Sequence, residues 1–304
     1  HIGPDNTKNQ TNYTMTVGNN PITLDFLIVA GGGGGGMDIG GGGGGGGVIK
    51  GQTTFSVGSH DVKVGAGGWG APAGNTSGTR IDGTTYNQNT GHHFTESAHN
   101  GKDSVLGTYT AKGGGYASSS VVDYGPNQGI PGNGGSGGGS TGYNANTTNK
   151  ARDGGVAIDQ NGNTITSGST TLATGVVSYG WKGGGAYHSH YSGGAGGAGG
   201  PGGERTASEA VSGDAHVPHG GDGIQIDWVT PQALGYSGER NGVSNTTPFY
   251  WGGGGGGSAR TTSPGGTGGK GGGGGGAYGS PAGGTGGIND GLPGASGNND
   301  NPGG

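Results

Sequence analysis

The amino-acid sequence predicts a fold that is mostly irregular and β, with short β-strands joined to stacked glycine rods. Three observations favour this fold class. Glycine supplies 90 of the 304 residues, whereas its ordinary share is about 7%. The glycines are clustered in tracts with a period of three, and short segments of alternating apolar residues lie between the tracts. No segment has the apolar spacing of an α-helix, so essentially no helix is expected.

The glycine tracts are the first element to explain. In residues 193–203 every third position is Ala195, Ala198 or Pro201, and all other positions are glycine. A period of three is that of a polyproline II-like helix, here polyglycine II, in which eight residues span about 25 Å. The sequence therefore predicts a layered bundle of such rods. Four tracts are uninterrupted runs of six to eight glycines: 31–36, 40–47, 252–257 and 271–276.

Backbone bonding between these rods would replace the missing side-chain core. Only 26% of the residues are hydrophobic, and ordering a glycine-rich chain costs much conformational entropy. Rods without side chains can lie close enough to exchange N–H···O=C hydrogen bonds, each worth about 0.5–1.5 kcal/mol net. We expect the third residue of each Gly-Gly-X triplet to face solvent. The alternative interpretation of such tracts is a flexible linker.

Short strand patterns separate the tracts. Residues 22–30 place Ile22, Leu24, Phe26 and Ile28 on one face of a strand. Residues 53–64 predict a hairpin that turns at positions 58–61. A third alternating segment holds Ile224, Ile226 and Trp228.

A recurrence links strands to rods and suggests the domain organisation. Residues 104–115 are echoed by residues 174–185, with Tyr and Lys at matching places before three glycines, and residues 248–254 are a looser third copy. By stacking copies of one small unit, a chain with few apolar residues can bury them between neighbouring copies. We expect a lead-in segment over 1–21 and one glycine-rich domain over 22–304. Its repeat-like units would be 22–115, 116–185 and 186–304.

Composition excludes several classes of function. Only 10% of the residues are charged, the net charge is −5, and no basic run is present, so nucleic acid is not an expected partner. Cysteine is absent, which removes disulfides and thiol chemistry. The longest apolar run, residues 26–30, is too short to cross a bilayer, so membrane insertion is not expected. The first residue, His1, indicates processing, a tag remnant or a fragment.

An ordered series of motifs resembles a known family. The series is the strand and tract of residues 26–36, a second glycine run, Val62-Lys-Val-Gly-Ala-Gly-Gly68, and residues 103–115 with Thr-Ala-Lys-Gly-Gly-Gly. It resembles the glycine-rich domain of bacteriophage tail-fibre and virion proteins, over about residues 22–115. Adhesins at the tips of some long tail fibres are similar in stacking polyglycine helices with receptor-binding loops between them. Such domains usually close with an apolar strand, whereas this chain closes with residues 298–304, Asn-Asn-Asp-Asn-Pro-Gly-Gly.

Three segments between tracts are candidate receptor-binding loops. Binding residues usually lie on loops that rigid elements hold, and these three are rich in aromatic and imidazole groups. Aromatic rings stack on the C–H face of a sugar, while amides and hydroxyls bond its hydroxyl groups. The competing interpretation is that the aromatic residues cap rod ends as a small core. The candidates are Tyr86, His92, His93, Phe94, His99, Tyr187, His188, His190, Tyr191, Phe249, Tyr250 and Trp251.

The sequence favours neither a metal, nor a cofactor, nor an enzyme. The histidines have no recognised zinc spacing. Residues 159–163 loosely echo a calcium loop but lack its glycine and its terminal Glu. Gly-x-Gly-x-x-Gly recurs only because glycine is abundant, so it indicates no nucleotide. No catalytic constellation is evident.

The resemblance implies a phage virion protein that is located in the tail fibre or is otherwise extracellular. Its expected partners are a bacterial surface receptor, glycan or outer-membrane protein, and other virion proteins. The alternative is a purely structural filament or coat subunit that assembles with copies of itself. Ice binding is a third hypothesis, although the X positions form no regular Thr or Ala array.

Overall fold

A computed structural model confirms the fold class: strands and glycine rods make up the described part of the chain, and no helix occurs in it. The structure describes residues 10–37, 39–71, 78–79, 85–86, 98–119, 129–141, 153–186, 192–204, 218–230, 232–233, 235, 244, 246–258 and 265–276. Its strands, in chain order, are β1 (Gln10–Val17), β2 (Ile22–Val29), β3 (Val48–Phe55), β4 (Gly58–Gly65), β5 (Gly78–Thr79), β6 (Thr85–Tyr86), β7 (Ser104–Leu106), β8 (Tyr109–Ala111), β9 (Ala157–Ile158), β10 (Thr164–Ile165), β11 (Ser169–Ala173), β12 (Val176–Tyr179), β13 (Ile224–Gln225) and β14 (Tyr250–Trp251).

Two four-stranded antiparallel sheets pack face to face. Their strand orders are β1-β4-β7-β8 and β11-β12-β3-β2. Phe26 and Ile28 are buried between the sheets, as the alternation in residues 22–30 predicts, and the Phe26 ring stacks on Tyr109 with centroids 5.1 Å apart. Residues 10–17 of the expected lead-in segment form β1, which pairs with β4 along its whole length.

The hairpin predicted over residues 53–64 is wrong. β3 and β4 do follow one another closely, but β3 pairs with β2 and β12, whereas β4 pairs with β1 and β7. The chain crosses from one sheet to the other at Ser56 and Val57, and Gly58 has a φ of 132° that a glycine tolerates. The alternation of apolar residues along two successive strands is the same whether the strands form a hairpin or lie in two packed sheets.

Strands continue directly into rods. We call the end of the bundle where strands and rods meet the strand end, and the opposite end the loop end. Because successive rods run to the loop end and back, the described chain crosses the bundle many times. The rods that follow a strand are 30–36 after β2, 65–71 after β4, 112–118 after β8, 180–186 after β12 and 252–258 after β14.

Hydrogen bonds between rods repeat every three residues, as the sequence period predicts. The clearest case is rod 40–47, where residues three apart bond to the same neighbouring rod. The N–H groups of Gly41, Gly44 and Gly47 donate to rod 112–118, at the carbonyls of Ser118, Gly115 and Lys112. The N–H groups of Gly42 and Gly45 donate to rod 192–199, at the carbonyls of Gly193 and Gly196. Three directions per turn are those of a polyproline-type helix.

The third residue of a Gly-Gly-X triplet does not always face solvent, contrary to the prediction. Ala195, Ala198 and Ser136 are fully buried. Rod 192–199 has hydrogen-bonded neighbours on several sides, so its X side chains lie at a seam between rods, where only a very small side chain fits. Pro201, at the end of the same Gly-Gly-X run, is exposed.

Glycine is required in the middle of the bundle. We predict that Gly44→Ala lowers the free energy of unfolding by about 3 kcal/mol or more, because its Cβ would run into the carbonyl oxygen of Ser136. A Cβ at Gly18 meets nothing within 4 Å, so Gly18→Ala is the matched control and should stay within about 0.5 kcal/mol. Urea unfolding followed by circular dichroism measures both. Equal midpoints for the two variants would contradict the close contact between Gly44 and the Ser136 carbonyl.

Candidate functional site

The loop end is where the described rods lead into the segments that carry most candidate residues. Ala71 and Ala98 border residues 72–97, and both are buried in one small apolar cluster. Ala186 and Ser192 border residues 187–191 and are buried as well. Ser192 N–H donates to the carbonyl of Ser258, whose own N–H donates to Gly40, where the turn after rod 30–36 ends. These bonds bring the borders of separate segments to one end of the bundle.

Serine and threonine hydroxyls close the rods at the loop end. Rods end with backbone groups that lack a rod partner, and these buried groups need other partners. Side-chain oxygens supply them, which explains why buried hydroxyl residues concentrate here. The bonds are Met37 N–H to Ser119 Oγ, Thr141 N–H to Ser118 Oγ, Thr141 Oγ1 to Ile39 O, Ser192 Oγ to Ser258 O and Ser258 Oγ to Gly40 O.

A small apolar cluster also lies at the loop end. Met37, Ala71 and Ala98 are buried together, with Tyr116 packed against them. Ile39 is almost fully buried and has a φ of 55°, a left-handed value that is uncommon for a β-branched residue. The Ile39 carbonyl accepts from Thr141 Oγ1, so a bond to a neighbouring rod helps to hold this strained residue at the loop end. No local sequence pattern predicts this cluster; its one signal is the Met37-Asp38-Ile39 interruption between two glycine runs.

The structure describes one candidate side chain at the loop end. His99 is exposed and begins the return from residues 72–97; its carbonyl accepts from Gly34 N–H and its N–H donates to Trp69 O. For Tyr86, the structure describes the backbone pairing with Gly78 between β5 and β6. The other candidates of these two segments lie outside the described residues: His92, His93, Phe94, Tyr187, His188, His190 and Tyr191.

The third candidate cluster lies at the opposite, strand end. Tyr250 and Trp251 form β14, which pairs with β13 just before rod 252–258. Phe249 is buried, its N–H donates to Val229 O, and its ring meets Trp251 edge-on at 6.0 Å. Phe249 is therefore a core residue, as the competing interpretation expects, while Trp251 is half-buried beside it. The structure does not bring this cluster together with His99.

Tyr250 faces a polar surface at the strand end. Lys270 Nζ lies 5.1 Å from the centre of its ring and 3.8 Å from an Asp222 carboxylate oxygen. The other Asp222 oxygen accepts the backbone N–H of Lys270 at 3.0 Å. Nearby, a turn in which Val229 N–H donates to Ile226 O leaves Trp228 50% exposed. These groups could stack on and bond to a sugar. However, the contact between Lys270 and Tyr250 and the ion pair between Lys270 and Asp222 already give these side chains a structural role.

Comparison with known families gives one match. The sequence model of a family described as a glycine-rich domain matches residues 7–243. The chain belongs to this glycine-rich domain family. Comparisons with curated proteins and with solved structures gave no match. In the structure, rods beyond residue 243 bond directly to rods within the matched part: Ala195 N–H donates to Gly255 O, and Gly255 N–H donates to Gly43 O.

Residues 159–163, which loosely echo a calcium loop, form a turn that the Asp159 side chain stabilises in this glycine-rich domain. Both carboxylate oxygens of Asp159 accept hydrogen bonds from the turn: Oδ1 from the N–H groups of Asn161 and Asn163, and Oδ2 from Asn163 Nδ2. Gln160 Oε1 accepts the N–H of Thr110, which covers part of the edge strand β8. The described residues contain no group of three His, Asp or Glu that could hold a metal ion. They also contain no helix able to span a membrane.

Lysines at the recurring strand-to-rod junctions pair with acids. Lys112 Nζ lies 3.0 Å from Asp103, whose second oxygen accepts Gly113 N–H at 2.9 Å. Lys182, at the matching position of the second copy, pairs with Glu204. The recurrence noted in the sequence thus has a structural role, because each pair ties the start of a rod to a neighbouring segment.

The aromatic residues at the strand end should separate by their effect on stability. We predict that Phe249→Ala lowers the free energy of unfolding by about 3–5 kcal/mol, since it removes a buried ring. Trp228→Ala removes a half-exposed ring of similar size and should cost less than about 1 kcal/mol. Guanidinium unfolding followed by far-ultraviolet circular dichroism measures both variants. A Trp228→Ala effect as large as that of Phe249→Ala would overturn the assignment of Phe249 as the core residue.

Proposed function

We propose that this glycine-rich domain is a phage virion component, a tail-fibre or adhesin domain that presents loops to a receptor on the host surface. The observation that carries the proposal is the separation of the two ends of the bundle. The folded sheets lie at the strand end, while the described borders of segments 72–97 and 187–191 lie together at the loop end. An attachment protein needs such polarity, with one end for the particle and the other for the host.

The rigidity of the scaffold supports the proposal. Backbone bonds in several directions fix each central rod, and buried hydroxyls close the rod ends. Loops held at both borders by such a platform lose less conformational entropy when they bind than free loops would. Function on loops above a rigid scaffold is a common arrangement.

The composition of the two segments supports a receptor on the bacterial surface. They hold histidine, tyrosine, asparagine and threonine with few charges. Such side chains suit either a surface glycan, through ring stacking and amide bonds, or the polar loops of an outer-membrane protein. Under this proposal the protein works as part of the virion, outside the cell, and performs no catalysis.

A second candidate function is a self-assembling filament or coat subunit. The observation that favours it is the edge strand β1. Its eight residues, Gln-Thr-Asn-Tyr-Thr-Met-Thr-Val, carry no charge and no proline, and Tyr13 is 38% exposed. Uncharged edges of this length are surfaces on which another strand can pair.

The receptor role predicts a loss of binding when segment 87–97 is replaced by a Gly/Ser linker of equal length. This change leaves His99 and rod 30–36 intact, so the fold should survive while binding to bacterial cells falls at least about tenfold, as loss of an interface centre implies. Binding of fluorescently labelled protein to a panel of bacteria measures it, beside Thr174→Ala at the strand end as a control. Unchanged binding for replacements of both 87–97 and 187–191, on bacteria that the intact protein binds, would rule out the receptor role.

The filament role makes a different prediction. If β1 edges mediate assembly, Thr14→Lys should abolish self-association, because a charge on an edge strand opposes pairing. Thr174→Lys, in the turn between β11 and β12, is the matched control. Sedimentation velocity over a range of concentrations measures the species. If the intact chain and the Thr174→Lys control both stay monomeric at every concentration, the filament hypothesis is excluded.

A further inference from the structure

Rod 112–118 directs its backbone N–H groups in three directions, and residues three apart share a direction, as a helix with three residues per turn requires. Two of the three sets of donors bond to carbonyls of neighbouring rods: Gly114 and Ala117 to rod 30–36, and Gly115 and Ser118 to rod 136–141. The third set consists of the N–H groups of Gly113 and Tyr116. These two donate to side chains instead of to the backbone of a rod.

The acceptors of this third set are Asn100 and Asp103, which are themselves three residues apart. Asn100 Oδ1 accepts Tyr116 N–H at 2.8 Å, and Asp103 Oδ1 accepts Gly113 N–H at 2.9 Å. The Asn100 amide also donates from Nδ2 to Asn133 O at 2.9 Å. We call Asn100 and Asp103 the first ladder. Its two side chains occupy the direction in which the carbonyls of a further rod would accept.

The same arrangement occurs a second time, at His219 and Asp222, which we call the second ladder. His219 Nδ1 accepts Thr267 N–H at 3.1 Å, and Asp222 Oδ1 accepts Lys270 N–H at 3.0 Å. Both the acceptors and the donors are again three residues apart. The two ladders also share a sequence pattern, which is Asn-Gly-Lys-Asp over residues 100–103 and His-Gly-Gly-Asp over residues 219–222.

A lysine accompanies each ladder. Lys112 Nζ lies 3.0 Å from Asp103 Oδ2, and Lys270 Nζ lies 3.8 Å from Asp222 Oδ2. At the edge of a β-sheet, lysine opposes the addition of another strand because a strand that pairs there would have to desolvate the charge. Each lysine stands beside the backbone donors that its ladder covers, so the same argument applies to the edge of a rod.

The ladders lie at the surface of the bundle. Asn100, His219 and Asp222 are exposed, and Asp103 is half-buried. A rod carbonyl that accepts a bond belongs to a backbone whose own N–H groups can bond to the next rod. A carboxylate, an imidazole nitrogen or an amide oxygen also satisfies the donor, but it brings no backbone that could continue the lattice.

We propose that the two ladders terminate the rod lattice and prevent a glycine rod of a second copy of the chain from adding to it. An uncovered row of rod donors presents the same hazard as an uncovered edge strand, because a backbone of matching period can pair with it. A second copy supplies such a backbone, since 90 of its 304 residues are glycine. This role concerns rods and not the strand edge of β1, and it holds whatever the domain binds.

Removal of the first ladder tests the proposal by self-association. We expect Asn100→Ala combined with Asp103→Ala to raise the association constant at least about tenfold over that of the intact chain, because Gly113 and Tyr116 can then donate to a second copy. Sedimentation velocity of the full chain over a range of concentrations measures it. Lys102→Ala, an exposed change between the two ladder residues, is the matched control and should associate like the intact chain. Equal association constants for the double variant and this control would overturn the proposal.

Amide hydrogen exchange shows where the copies meet. In the double variant at low concentration, exchange at Gly113 and Tyr116 should be about tenfold or more faster than in the intact chain, because both N–H groups have lost their acceptors. Exchange at these two residues should slow again as the concentration rises and a second copy accepts their bonds. Association that leaves both residues exchanging fast at every concentration would place the contact elsewhere and would overturn the proposal.

The second ladder gives an independent test in another part of the chain. His219→Ala combined with Asp222→Ala uncovers the N–H groups of Thr267 and Lys270 and should raise the association constant in the same way. Asp227→Ala, which removes an exposed acid outside the ladder, is its control. If the first double variant loses the circular dichroism spectrum of the intact chain, this second one decides, and association no stronger than that of its control would overturn the proposal.

Discussion

The hydrogen bond from a backbone N–H of one glycine rod to a carbonyl of the next is the interaction on which this structure depends. A rod with three residues per turn directs such bonds in three directions, so each rod can be held by several neighbours at once. Each bond is worth only about 0.5–1.5 kcal/mol net. The bundle makes them at most residues of its central rods, which offsets the high entropy cost of ordering glycine.

Close approach of backbones explains why the side chains are placed as they are. A Cβ added at most central glycines would meet a neighbouring carbonyl, so side chains are confined to seams, junctions and rod ends. Ala195 and Ala198 occupy a seam, Lys112 and Lys182 stand at junctions and pair with acids, and hydroxyl residues close the loop end. The small apolar core between the two sheets, around Phe26, anchors only the strand end.

The sequence predicts the fold class because a helix with three residues per turn gives rise both to the period of three in the glycine tracts and to the three directions of backbone bonding. The alternation over residues 22–30 likewise predicts the buried face of β2 at Phe26 and Ile28, whereas Ile22, on the same predicted face, is 44% exposed. Other features depend on the arrangement of rods in three dimensions, which no local pattern contains. The crossing between β3 and β4, the burial of Ala195 and the distance of the Phe249 cluster from His99 all follow from which rods become neighbours, and composition cannot distinguish one glycine rod from another.

Packing through the backbone also separates stability from recognition. In an ordinary domain, the side chains that bind a partner share elements with the side chains that form the core, so changes in one affect the other. Here the core of the bundle consists of glycine backbone, and its bonds end at the buried hydroxyls of Ser118, Thr141 and Ser258. We expect changes to side chains in segments 87–97 and 187–191 to leave these bonds in place. Under the proposed receptor role, such changes would adapt the side chains to a new receptor at little cost in stability, which is the property that an attachment protein requires of its scaffold.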